Sequence, residues 1–202
     1  MPHKRLRRSP DDARAEILAA AESALRETDF HSLTVEMLME RTGMTRSLFY
    51  HYFKSLDEIV IALFERIEAE VSGAVDPWLA GEDSAEPRAN TIEHLTRMYE
   101  VWREHANLMR AMEQAAGRSK EAFARWQDRV VESYIDKTER FIRRQIALGR
   151  SRVEDPRGLA YVLIVMNLAV ATDQTNRAEP ETPARLGARV GHVWNAAIYR
   201  DA

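Results

Sequence analysis

The sequence predicts an all-α protein of about nine helices, and three observations carry that expectation. Apolar residues recur at helical spacing through nearly all of the 202 residues, and no segment shows the alternation and β-branched enrichment of a strand. Prolines stand at 10, 87, 156 and 183, each after a residue suited to a helix start: Ser9, Glu86, Asp155 and Thr182. A proline ring is tolerated at the first helical position, because the N–H it lacks has no intrahelical partner there. Three further starts are marked by Thr34, Thr45 and Ser55, the last with Glu58 at capping-box spacing.

In order, the helices are expected at 10–28, 34–41, 45–52, 55–75, 87–104, 106–116, 119–149, 156–177 and 183–199. Pro77 should terminate or kink the fourth, since a mid-helix proline removes a hydrogen bond and crowds the carbonyl four residues back. Gly81 to Glu86, GEDSAE, reads as the linker between two halves.

Composition removes whole classes. Eight Gly, seven Pro and no Cys exclude collagen-like and disulfide-stapled chains, zinc fingers, thiol nucleophiles and iron–sulfur ligation. The six histidines are scattered, and the His94–His105 pair is held about 16 Å apart along a helix, too far for one metal. No HExxH, P-loop, GxSxG or dinucleotide fingerprint occurs, so neither catalysis nor a cofactor is expected. The apolar runs read as too short for a membrane span and no secretory h-region is visible, so a cytoplasmic protein without membrane contact is expected.

The net charge of -3 announces no global attraction to nucleic acid, but its distribution is uneven. Residues 1–8 hold Lys4, Arg5, Arg7 and Arg8, and residues 41–56 hold Arg41, Arg46 and Lys54, both without an acid.

The second basic stretch lies in TVEMLMERTGMTRSLFYHYF, residues 34–53. Val35, Leu38 and Met39 make an apolar stripe on one short helix, Gly43 can adopt positive φ, and Thr45 restarts a second helix. On that second helix Phe49 and Phe53 face the core with Met44, which leaves Arg46, Ser47, Tyr50 and His51 on an arc free of carboxylates. Such an arc suits a major groove about 12 Å wide. Arg46, at the first helical position, is the expected base reader, able to fork onto guanine O6 and N7, and Ser47 can donate to base or phosphate. Leu48 either meets a thymine methyl or packs inward. Tyr50, Tyr52 and Lys54 are the expected phosphate contacts, with free backbone N–H groups near Thr34 and Thr45. The competing reading is a compact three-helix packing unit with Tyr50 and Tyr52 half-buried.

From Ile17 to Phe64 the chain resembles the N-terminal DNA-binding domain of TetR-family transcriptional regulators, through Gly43, Thr45, Phe49, Tyr50, Tyr52, Phe53, Ser55 and Glu58 in order. The resemblance implies a ligand-responsive regulator, a repressor or else an activator. It would bind a pseudo-palindromic operator as a homodimer and be released by a small, mostly hydrophobic effector. Leu56 departs from the pattern, standing where the family often has a phosphate-touching Lys. The basic arm resembles extensions that enter the minor groove, which adds Lys4 and Arg5 to the DNA contacts.

The stretches YVLIVMNLAVATDQTN and PARLGARVGHVWNAAIY resemble the C-terminal helices of the EthR-like branch, which implies Asn167 and Trp194 as lining of an elongated hydrophobic channel. Trp102, Phe123, Trp126 and Tyr134 join them on spacing and composition. Small residues on helices 156–177 and 183–199, among them Gly158, Ala160, Ala169, Ala171, Gly187 and Gly191, are expected to face outward. In the family these helices form the dimer interface. The expected organisation is a basic arm at 1–8, a helix-turn-helix domain at 9–54, a connecting helix at 55–80 that acts as lever, and a ligand-binding and dimerisation domain at 81–202.

Overall fold

The computed structural model describes residues 9–81, 86–118 and 120–199, without the side chains of 121–123 and 125–127. The described residues form nine α-helices and no strand: α1 (Pro10–Glu27), α2 (Val35–Thr42), α3 (Arg46–Tyr52), α4 (Leu56–Ala80), α5 (Pro87–Glu104), α6 (Ala106–Arg118), α7 (Lys120–Ala147), α8 (Pro156–Asn176) and α9 (Pro183–Ile198). A 3₁₀ turn at Phe30–Ser32, which periodicity does not reveal, joins α1 to the segment before α2.

The caps form as their residue types dictate. Ser9 and Asp12 make a reciprocal capping box at α1, while Thr34, Thr45, Ser55 and Thr182 each accept a backbone N–H from the first turn that follows. All four helix-starting prolines sit at the beginnings of α1, α5, α8 and α9.

Pro77 does not end α4, contrary to expectation, and the helix runs on to Ala80. The carbonyl that Pro77 leaves without a partner belongs to Gly73, which is exposed, so water can take it. Trp78 and Leu79 are buried just beyond and hold the last turn by packing. Gly81 at φ 92 closes the helix, and the Arg144 guanidinium donates to the carbonyls of Ala80 at 2.8 Å and Leu79 at 3.1 Å. The extra turns lengthen the wall that α4 contributes to the C-terminal half.

The N-terminal helices close on Ile17, Ala21, Leu38, Phe49, Ile59 and Leu63, all essentially inaccessible. In the C-terminal half α5 lies along α9 and α7 along α8. The α5–α9 approach uses small residues that were expected to face outward. Gly187 and Gly191 are buried, and a Cβ at Gly187 would lie 2.8 Å from the Thr96 backbone. Ala160 and Ala171 also turn inward. What α8 and α9 expose instead is Tyr161, Val162, Val165 and Val193 beside Ala169, Ala188 and Ala196.

By length and composition alone α8 is long and apolar enough to cross a membrane, more than the apolar runs read from the sequence suggest. In this fold it packs Ala160, Leu163, Asn167 and Ala171 into the protein.

Candidate DNA interface and effector cavity

The reading unit is α2, the Gly43 turn and α3. Gly43 sits at φ 63, where a Cβ would be strained, and its N–H returns to the Met39 carbonyl. Thr45 Oγ1 accepts the Leu48 N–H at 3.3 Å and starts α3. Phe49, fully buried, and Phe53, 3% exposed, fix α3 against the core, which turns Arg46, Ser47, Tyr50 and His51 to solvent. The arc read from the sequence therefore exists.

It is not free of carboxylate. Glu36 on α2 pairs with Arg46 at 2.5 Å, while the Tyr50 hydroxyl lies 3.5 Å from the same guanidinium. The Tyr50 contact and then the Glu36 charge raise the Arg46 pKa above its ordinary value. The sequence reading missed Glu36 because it lies ten positions away on another helix and only the turn brings the two together.

The remaining candidates divide. Thr34 and Thr45 are exposed but spend their hydroxyls as caps. Leu48 is half-buried, and Tyr52 packs partly against the core with its ring edge on His51. Lys54 is exposed, with its backbone N–H on Glu58 at 2.7 Å. Leu56 packs against the core, which is what an aliphatic side chain does in that place. Arg41, from the same basic stretch, is a structural residue, forked onto Glu27 across α1 and α2 at 2.6 and 3.2 Å. Lys4 and Arg5 lie outside the described residues.

The second site is a cavity of about 360 Å³ among α4 to α9. Trp102, Tyr134, Asn167 and Trp194 all line it, while the side chains of Phe123 and Trp126 lie outside the described residues. One wall was legible but unread: Phe64, Glu68, Val71, Val75 and Trp78 follow helical spacing down a single face of α4.

At the deep end Trp78 stacks on His94, with ring centroids 6.0 Å apart and planes 10° from parallel, and meets Trp194 at 5.2 Å. The indole N–H of Trp194 donates to Asn167 Oδ1 at 3.1 Å, so two candidates from different helices satisfy each other. The indole nitrogens of Trp78 and Trp102 have no partner among the described residues. Tyr134 shares a hydrogen bond with Ser72 at 3.0 Å. Burial pushes its phenol up to about 12, with the charges of Glu68 and Asp76 adding to the shift and the Ser72 bond opposing it.

Two helices of the cavity wall also pack on the N-terminal half. Helix α4 runs from beside α3 down the cavity wall, and α6 places Met109 and Met112 in the lining. At its end α6 lays Arg118 over the Phe30 ring at 4.6 Å and within 2.9 Å of His31 Nδ1. Helix α6 thus reaches the N-terminal half as α4 does.

No group of three metal-ligating residues occurs among the described residues. A helix-turn-helix with an exposed reading face, carried on a helical bundle that encloses an apolar chamber, defines a transcription regulator. The chain belongs to the TetR family: "Bacterial regulatory proteins, tetR family" matches residues 17–63, and "Transcriptional regulator EthR, C-terminal domain" matches residues 91–200.

Its relatives are regulators, not enzymes. The HTH-type transcriptional regulator EthR of Mycobacterium tuberculosis is 26% identical, over 96% of this chain and 91% of its own. EthR of Mycolicibacterium smegmatis is 25% identical, over 96% and 89%. Among solved structures, SmeT, the repressor of the Stenotrophomonas maltophilia multidrug efflux pump SmeDEF, superposes with a TM-score of 0.72 at 26% identity, covering 94% of this chain and 91% of SmeT. A SmeT–triclosan complex superposes equally well, at 25% identity over 94% and 93%.

Proposed function

We propose that this protein is a homodimeric repressor that binds a pseudo-palindromic operator through α3 and is released by a small, mostly hydrophobic effector in the cavity. The observation that carries this reading is the apolar cavity itself, walled by the two helices, α4 and α6, that also pack on α1 of the N-terminal half, with α6 reaching the 3₁₀ turn at Phe30–Ser32 as well. Arg46 reads a base edge, with Ser47 and Leu48 beside it. Tyr50, His51, Tyr52, Lys54 and the helix starts at Thr34 and Thr45 position the phosphates, and Lys4 and Arg5 follow the neighbouring groove.

The functional divisions are an arm at 1–8, a reading domain at 9–54, a connecting helix at 55–80 and an effector and dimer domain at 81–202. Tyr161 and Val162, 55% and 57% exposed on α8, and Val193, 43% exposed on α9, support self-association, since apolar side chains so placed gain by burial against a copy. Two-fold symmetry then sets two α3 helices one DNA turn apart, roughly 34 Å, or a multiple of it. A protein that reads chromosomal DNA works in the cytoplasm.

Release needs only a difference in effector affinity between two dimer conformations. A coupling of about 1–3 kcal/mol changes occupancy roughly 5- to 150-fold. SmeT, solved with triclosan, supports a small aromatic molecule as the class of effector. The test is a mobility-shift assay with the DNA upstream of the protein's own coding sequence. A salt-sensitive specific complex is expected, and failure to prefer that DNA over a scrambled duplex overturns the reading.

A further inference from the structure

The cavity is not uniformly apolar: its lining includes two carboxylates and buried donors. Along α4 the lining runs from Phe64 through Glu68 to Trp78, and Glu68 lies ten residues from Trp78, about 15 Å along the axis. Glu113 on α6, exposed to solvent on its outer side, joins the half-buried Glu68 among the lining residues, near the C-terminal end of α8, where Asn176 donates to it at 2.9 Å. No Lys, Arg or His is among the described lining residues. Lys137, the cation over the Tyr134 ring, is held by both oxygens of Asp76. Glu68 has no hydrogen bond or ion pair among the described residues.

The lining also carries donors. Trp78, 3% exposed, has an unpartnered indole N–H, and Asn167, 7% exposed, accepts from Trp194 on its carbonyl and keeps its amide N–H₂ uncommitted among the described residues. Buried donors left without acceptors are costly, so they mark where a ligand oxygen is favoured. Trp102 and Tyr134 also line the cavity; the Trp102 indole N–H is a further unpartnered donor, and the Tyr134 ring is already covered by Lys137 at 4.9 Å.

We infer that the effector is an elongated lipophilic cation: an amine or quaternary ammonium at the Glu68–Glu113 end, an apolar or aromatic body, and a hydrogen-bond acceptor at the Trp78–Asn167 end. This rests on the cavity being the effector site. An anionic amphiphile is excluded by the two carboxylates, and a neutral one leaves Glu68 without a counter-charge.

Three probes of one skeleton test it by calorimetry on the full-length protein: 4-(4-methoxyphenyl)butan-1-amine, the corresponding alcohol and the corresponding carboxylate. The amine should bind roughly 10-fold more tightly than the alcohol, and the carboxylate most weakly. In the double variant Glu68→Gln/Glu113→Gln the advantage of the amine should vanish while the affinity for the alcohol is kept, which also shows that the variant is folded. Equal binding of amine and alcohol by the unmodified protein, or a preference that survives the double substitution, overturns the cation inference and leaves the cavity as an effector site. Binding of none of the three overturns both.

Discussion

Trp194 and Asn167 meet across the α8–α9 junction, the indole N–H donating to the amide oxygen at 3.1 Å where both side chains are buried. The bond bears on which part of Asn167 a ligand can address. The indole takes one of the two acceptor positions of that oxygen, and the amide nitrogen, which can only donate, stays without a partner among the described residues. Trp194→Phe should leave that oxygen unmet and lower stability by about 1–3 kcal/mol. Asn167→Leu should cost a similar amount by stranding the indole N–H, and the double variant should cost less than the sum. Additive losses in urea denaturation would show that the two side chains are not coupled.

Glu36 holds the Arg46 guanidinium in the free protein, so on the proposed reading it competes with a base edge for it. Arg46→Ala should weaken specific binding roughly 5- to 150-fold and relax preference at one base pair. Glu36→Gln releases the guanidinium and should tighten binding. A Glu36→Gln variant that binds as poorly as Arg46→Ala would show that the carboxylate aims the arginine and does not restrain it.

The arm is tested by salt. Each phosphate contact contributes about 0.9 to the slope of log K against log salt, so Lys4→Ala/Arg5→Ala should flatten that slope by about 1 to 2. A slope equal to that of the unmodified protein removes the arm from the interface.

Self-association through α8 and α9 predicts that Val162→Glu yields monomers in analytical ultracentrifugation and abolishes operator binding while circular dichroism keeps its helical signal. Val162 is 57% exposed, so the charge is harmless to the isolated fold. A Val162→Glu protein that remains dimeric would move the interface elsewhere.

Several carboxylates are held below their usual range: Asp12 by the Ser9 cap, Glu27 by Arg41, and Glu139 by Arg143 and Arg157. A carboxylate whose pKa is depressed on folding contributes stability at pH above its unfolded value, and that contribution is lost as pH falls through the folded value. The melting temperature should therefore hold from pH 7 to about 5 and drop below about 4. Arg157 bridges Glu132, Asp136 and Glu139 from the start of α8. Arg157→Gln should melt below the unmodified protein at pH 7, with the gap closing by pH 3. A gap independent of pH would place the role of Arg157 in packing.

The helices and their starts were legible in the chain because caps, first-turn prolines and apolar period act over a few residues. Ser9-Pro10 and Thr182-Pro183 mark their helices without reference to anything distant. The reading face of α3 was legible for the same reason, as Phe49 and Phe53 define its buried side by spacing alone. What lay beyond local rules went otherwise. Pro77 reads as a stop or a kink, and of the two the stop is overridden by burial of Trp78 and Leu79. Gly187 and Gly191 read as an outward seam, and α5 took them up. Glu36 beside Arg46, and the meeting of carboxylates and buried donors in one cavity lining, depend on which faces of separate helices meet. Short-range periodicity determines which side of a helix is apolar. Only the folded packing decides which apolar sides cover one another, which stay bare, and where a charge is left facing an enclosed space.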